Sequence, residues 1–239
     1  MHNINFFATS PAILAFLATA FAAGCFQLSV SVLTLISSHT IGAARSFNKL
    51  LGLISAYLLG VIASIFALSI LVITLADASR YFLSDAAWPL VGVVSIVVGG
   101  LIVAFYYRQS KGTSLWVPRS MARFLNNRTK RTRSAIETFS LGILTTVAEL
   151  PFSFVAFLIL AYLVKDANAN TQVALSLIYA LAVSLPLLFV AAAITSGHKI
   201  SAVQRWRESN KNFLRWSSGV CLVLLGVYVL VWQTSGVTG

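Results

Sequence analysis

Six long stretches with almost no charge constrain this chain more than any other feature. They run over Pro11–Ile36, Leu50–Ala76, Ala86–Tyr107, Thr138–Val164, Thr171–Ser196 and Trp216–Trp232. Each is close to, or somewhat longer than, the roughly 20 residues that cross about 30 Å of hydrocarbon. A soluble domain cannot bury that much apolar chain: 58% of the 239 residues are hydrophobic and only 10% are charged. The pattern predicts an all-α integral membrane protein of six transmembrane helices that form a single transmembrane domain, 1–239. Nothing is left over for a soluble catalytic domain.

The net charge of +11 suggests nucleic acid until its placement is read. Fifteen of the seventeen Lys and Arg residues fall in three segments: Arg45 and Lys49; eight from Arg108 to Arg133; and five from Lys199 to Arg215. The connections after the second and fourth spans hold only Arg80 and Lys165, beside Asp77, Asp85 and Asp166. This asymmetry is the positive-inside pattern and puts both termini outside the cytoplasm. The basic residues then face anionic lipid headgroups, and no nucleic-acid partner is expected. Met1–Phe7 lacks the positive start of a cleaved signal, and Pro11–Ile36 is too long for one, so the first span is read as retained. Asn127-Arg-Thr129 matches a glycosylation sequon by chance, inside an expected cytoplasmic loop.

Three spans, a long basic connection and three more spans suggest two halves, repeat A over 11–107 and repeat B over 138–235, joined by 108–137. With an odd number of spans per half, the second half enters the membrane from the opposite side, as in an inverted-topology repeat. Sliding one half over the other by about 124 residues lays Gly24-Cys-Phe-Gln27 over Ala148-Glu-Leu-Pro151 and brings Tyr57 and Gly60 close to Tyr179 and Ser184. Trp116–Leu125 and Ile200–Trp216 mix basic residues with Trp206, Phe213, Trp216 and other apolar anchors. Both read as amphipathic helices lying on the cytoplasmic face.

Glu149 is the one charged residue inside any of the six stretches. A charge at the bilayer centre costs about 2.5–3.5 kcal/mol on insertion scales, so it marks a functional site before a structural one. The carboxyl either holds a proton or binds something that arrives. Pro151, two residues on, removes a backbone hydrogen bond and frees a carbonyl near Val147. Thr145, one turn back, shares the Glu149 face, with Thr146 beside it. Carboxylate, hydroxyl and free carbonyl together suit a cation or proton. The alternative is a protonated Glu149 that only hydrogen-bonds a neighbouring helix.

Gln27, with Gly24, Cys25 and Ser29 at matching depth, either lines the same pathway or makes an interhelical hydrogen bond. Pro186 is expected to interrupt the fifth span, with Ser184 and Tyr179 near it. Gly92, Ser95 and Gly99 share a face suited to close helix packing. Cys25 and Cys221 both fall within spans. There is no CxxC, and His2, His39 and His198 form no cluster, so neither a metal nor a cofactor is expected. No serine-nucleophile arrangement, phosphate loop or paired carboxylate appears, so the chain is not expected to be an enzyme.

Phe139-Ser-Leu-Gly-Ile143 leading into Glu149-Leu-Pro151, then Tyr179-Ala-Leu-Ala-Val-Ser-Leu-Pro186, and finally Ser218–Tyr228 resemble the LysE/DsbD superfamily, in particular the second half of its CcdA-like thiol-reductant conductors. That resemblance implies a six-helix fold in a bacterial or archaeal inner membrane. In the CcdA-like branch a cysteine on each of spans 1 and 4 carries electrons across the membrane. Here Cys25 matches the first, Glu149 stands at the second, and Cys221 lies on the sixth span. The Glu-Leu-Pro string is similar to exporter-like branches, including the small mycobacterial lipid-addressing (GAP) proteins, and implies export of a small solute or ion.

The expectation is therefore a transporter with Glu149, Pro151, Gln27, Thr145 and Pro186 at its site and the bilayer and a small solute or ion as partners, with proton coupling left open. The alternatives are a thiol-redox conductor using Cys25 and Cys221, or a non-transporting membrane subunit. Either a homo-oligomer or a larger membrane complex is open.

Overall fold

The computed structural model describes residues 10–25, 28–42, 47–79, 87–105, 127–129, 134–196, 202, 205–206 and 209–234. Among the described residues seven helices carry the fold: α1 (Ser10–Gly24), α2 (Leu28–Gly42), α3 (Phe47–Ser79), α4 (Ala87–Phe105), α5 (Ala135–Val164), α6 (Ala169–Thr195) and α7 (Lys211–Thr234). No strand occurs among the described residues.

Three helices are long and apolar enough to cross a membrane unaided: Phe47–Ala78, Ala169–Thr195 and Asn212–Trp232. Two further spans arise if each of two bent pairs counts as one. Pro11–Gly24 and Ser29–Ser38 meet at 46°, and Ala135–Pro151 and Ser153–Val164 meet at 86°. The expected third span differs. It is helical as α4, but its apolar part is the shorter Trp88–Ala104. Pro89 explains the start, since in a first turn its missing N–H costs nothing and its fixed φ favours helix. These apolar helices are compatible with an integral membrane protein.

The packing is that of a protein with an apolar outside. Leu14, Phe189 and Leu224 are exposed, as are some thirty other described large apolar side chains. Thr19, Ser37 and Ser69 are buried, each donating its hydroxyl to the carbonyl four residues back in its own helix. A soluble monomer does not show so much exposed apolar surface.

Glycine sets two helix contacts. On α5, a Cβ at Gly142 would lie 2.6 Å from the Tyr57 carbonyl of α3, and one on Gly60 would collide with the Phe139 carbonyl. Between α4 and α7, a Cβ on Gly226 would lie 2.6 Å from the Gly92 carbonyl and one on Gly99 2.7 Å from the Gly219 carbonyl. Ser95, between the two α4 glycines, donates to the Leu222 carbonyl at 2.7 Å. The two backbones touch because no side chain intervenes, which is how helices associate where water exclusion gives no drive. The small-residue face read on Gly92, Ser95 and Gly99 is therefore a packing seam.

Caps and edge contacts position the rest. Ser134 and Glu137 close the start of α5 reciprocally: Ser134 Oγ accepts from the Glu137 amide at 3.2 Å and the Glu137 carboxylate accepts from the Ser134 amide at 3.3 Å. At the other end of α5, Trp88 packs on Tyr162 and Lys165 lies over both rings. Gln172 of α6 donates there to Asp77 of α3 and to the Val164 carbonyl. The Trp116–Leu125 stretch, with Arg119 and Arg123, lies outside the described residues. Trp206, Phe213 and Trp216 are each more than half exposed, as interfacial anchors would be.

Candidate functional site

Two breaks build the site. One lies between the end of α1 at Gly24 and the start of α2 at Leu28; the other bends α5 beyond Glu149, where Pro151 has no amide hydrogen to give. The first break was not expected from the sequence, which reads Pro11–Ile36 as one helix. Pro186, expected to break the fifth span, instead lies inside an unbroken α6. It packs against the break in the other segment: a Cβ on Gly24 would sit 3.0 Å from the Val183 carbonyl and 3.5 Å from Pro186 Cγ. A side chain at position 24 would push α1 off α6, so glycine ends the helix there.

Glu149 crosses between the two broken segments. Its Oε1 accepts from the Ser29 amide at 2.8 Å, and its Oε2 accepts from Ser29 Oγ at 3.0 Å. Ser29 is in the first turn of α2, where amide hydrogens lack partners within the helix and the helix dipole presents positive charge. The carboxyl of one broken segment thus caps the half-helix of the other. Position 29 supplies two donors to it, which requires a hydroxyl residue one step inside a helix start.

Behind this contact lies a hydroxyl chain. Tyr57 of α3 is fully buried; its hydroxyl donates to the Ser29 carbonyl at 3.0 Å and lies 3.0 Å from Thr145 Oγ1. Thr145 Oγ1 also lies 2.8 Å from the Gly142 carbonyl and 3.0 Å from that of Leu141. Ser29 is held on both sides, its amide and hydroxyl by Glu149 and its carbonyl by Tyr57. Thr145 was expected beside the carboxylate and instead anchors Tyr57; Thr146 turns back to the Gly142 carbonyl. Gln27 lies outside the described residues.

Comparison with protein-family models, with curated proteins and with solved structures finds no match. The site is therefore read from its own chemistry.

The two cysteines are free thiols on either side of one helix contact. Cys25, just past the end of α1, meets the Ser217 hydroxyl of α7. Cys221, one turn further along α7, donates to the Ala18 carbonyl of α1 at 3.2 Å. The sequence could not place them together, because 196 positions separate them. Among the described residues no group of three or more His, Cys, Asp or Glu side chains could hold a metal ion.

Tyr57 is the site residue whose role the sequence understated. The only signal for it was its near-registration with Tyr179 when the halves are overlaid.

Proposed function

We propose that this chain is a secondary transporter of a small solute or ion, made of six spans in two inverted three-span repeats. The single observation that carries the reading is the seating of the Glu149 carboxyl on the start of α2. An ionisable group at membrane depth joins two discontinuous segments there, and discontinuous segments are where such transporters place substrate and coupling ion.

Two further relations support the repeat. The bent pairs begin at Pro11 and Ala135 and resume at Ser29 and Ser153, and both intervals are 124 positions. Gly92 and Gly219 are 127 positions apart, as are Gly99 and Gly226, and they touch crosswise, Gly92 to Gly226 and Gly99 to Gly219. Crosswise contact between like positions is the mark of a two-fold relation. In this arrangement both termini are outside the cytoplasm, and the three basic segments face the cytoplasmic leaflet of a bacterial or archaeal inner membrane.

A proton or cation arriving at Glu149 weakens its hold on Ser29, which frees the start of α2 to move relative to α5. Hydrogen bonds of this kind are worth about 0.6–1.7 kcal/mol each between membrane helices. Losing one shifts a two-state balance roughly 3- to 20-fold, enough to couple ion binding to rocking of the halves.

Thiol conduction is the second reading, favoured by the placement of Cys25 and Cys221 along one α1–α7 contact. One experiment separates the two. In the source organism the gene is deleted, intracellular and extracellular solutes are compared, and the strain is complemented with wild type, Glu149→Gln, or Cys25→Ser/Cys221→Ser. Transport requires that Glu149→Gln fail and the double serine variant rescue. The reverse result replaces this reading with the thiol relay.

A further inference from the structure

Among the described residues four buried side-chain polar atoms have no hydrogen-bond partner, and three of them lie on α6: the hydroxyls of Ser176, Tyr179 and Ser184. All three residues belong to the buried face of that helix and are at most 2% exposed. Hydroxyls elsewhere in this fold behave differently. The buried Thr19, Ser37 and Ser69 each donate to the carbonyl four residues back, and Thr145, Thr146 and Ser153 do so on α5. Ser176 and Ser184 stand inside a continuous helix with equivalent carbonyls one turn back, yet form no such bond.

The hydroxyl-bearing stretch joins two landmarks. One turn before Ser176, Gln172 donates to Asp77 of α3 and to the Val164 carbonyl at the end of α5, each at 3.3 Å. From Ser176 to Ser184 the helix rises about 12 Å, at about 1.5 Å per residue. There Val183 and Pro186, on either side of Ser184, close on Gly24, where α1 stops. Pro186 has no amide hydrogen for the Ala182 carbonyl, which leaves one more polar atom at that level. Between the two ends the Tyr179 ring meets Phe16 of α1 and Phe157 of α5 edge-on, both at 5.9 Å, so it enters the junction of three helices.

Buried polar groups in folded proteins are ordinarily satisfied, and ordered water serves where no protein group does. A hydroxyl both donates and accepts, as a chain of waters requires of its walls. α6 carries no Asp, Glu, Lys, Arg or His, so nothing on this helix offsets the dehydration of a metal cation or an anion. We propose that the buried face of α6 holds a file of about four ordered waters, running from the Asp77–Gln172 edge to the break at Gly24. The far side of that break is the start of α2, which holds Glu149. The role of the file rests on the transporter reading above: it makes the coupling ion a proton handed along water to the broken segments, and not a metal cation.

The test reads water directly. The full chain in lipid nanodiscs is exposed to a brief X-ray pulse, which turns water into hydroxyl radicals, and oxidised side chains are located by mass spectrometry. Radicals made in bulk solvent do not reach a fully buried ring, so only water held beside the ring marks it. Tyr57 is the control, since it is equally buried and its hydroxyl is bonded to protein. Tyr179 is expected to oxidise several-fold faster than Tyr57. In Ser176→Ala/Ser184→Ala the file loses two of its polar walls, and Tyr179 oxidation should fall several-fold. Tyr57 should keep its wild-type rate there, which shows the fold intact. The proposal is overturned if Tyr179 of wild type oxidises no faster than Tyr57, or if the double variant leaves its rate unchanged. Water beside Tyr179 in a protein whose Glu149→Gln variant still complements would remove the transport reading alone. Glu149-dependent complementation with Tyr179 as dry as Tyr57 would remove this one alone.

Discussion

Glu149 and Ser29 are 120 residues apart in the chain and 2.8 Å apart in the fold. The contact is between a side chain at the bend of one helix and a backbone amide at the start of another, so it joins elements rather than stabilising either alone. Ser29→Ala removes the hydroxyl bond and leaves the amide bond. It should lower stability by about 0.5–1.5 kcal/mol and reduce solute flux without abolishing it. Glu149→Gln keeps an acceptor for the amide but loses the ionisable group, and should abolish flux with a comparable loss of stability. Thermal melts of both variants, paired with the complementation assay, check the split.

Tyr57 and Tyr179 make an internal comparison, since both are fully buried and, among the described residues, only the Tyr57 hydroxyl has a hydrogen-bond partner. Tyr57→Phe should destabilise by about 1 kcal/mol, because the Ser29 carbonyl loses its donor and the Thr145 hydroxyl loses its hydrogen-bonding neighbour. Tyr179→Phe should be neutral or slightly stabilising, because it removes a polar group that has no partner among the described residues. Melting midpoints decide this. Equal losses in the two variants would contradict it.

The α4–α7 seam predicts a steric series. Gly226→Val places branched carbons where the Gly92 carbonyl lies 2.6 Å from the first of them, and should cost about 1–3 kcal/mol or more through separation of the helices. Gly100→Ala, with nothing within 4 Å of the new carbon, should be neutral or mildly stabilising. Folded yield after detergent extraction ranks the two directly.

Cys25 and Cys221 should be dispensable to the fold. Each thiol makes one weak contact that a serine hydroxyl can replace, so Cys25→Ser/Cys221→Ser should change stability by less than about 1 kcal/mol. In unfixed membranes a bulky maleimide should label Cys221, which is partly exposed, faster than buried Cys25. Equal labelling would show that the end of α1 opens more than its packing implies.

How far the sequence could be read follows from the range of the forces involved. Apolar runs, the basic segments and the Ser134–Glu137 cap are local patterns, and they determined an all-helical chain with helices apolar enough for a membrane. The isolation of Glu149 was equally legible, since one charge among so many apolar residues needs no partner to be noticed. The break between α1 and α2 was not legible. No proline marks it, and it exists where Gly24 lets α1 close on Val183 and Pro186 of α6. Pro186 misled for the same reason: α6 absorbs it, and its effect is on the neighbouring segment.

By itself, then, the sequence determined which segments are helical, where the basic residues cluster and which residue is the one charge within the apolar stretches, because helix formation and burial depend on neighbours a few positions away. Tertiary structure alone decided that Glu149 rests on Ser29, that Tyr57 finds hydrogen-bond partners where Tyr179 finds none among the described residues, and that the two thiols lie along one α1–α7 contact. Those outcomes depend on hydrogen bonds a few ångströms long between residues 28 to 203 positions apart. Only the packing of the helices, set by glycines whose missing side chains admit a neighbouring backbone, brings such groups into reach.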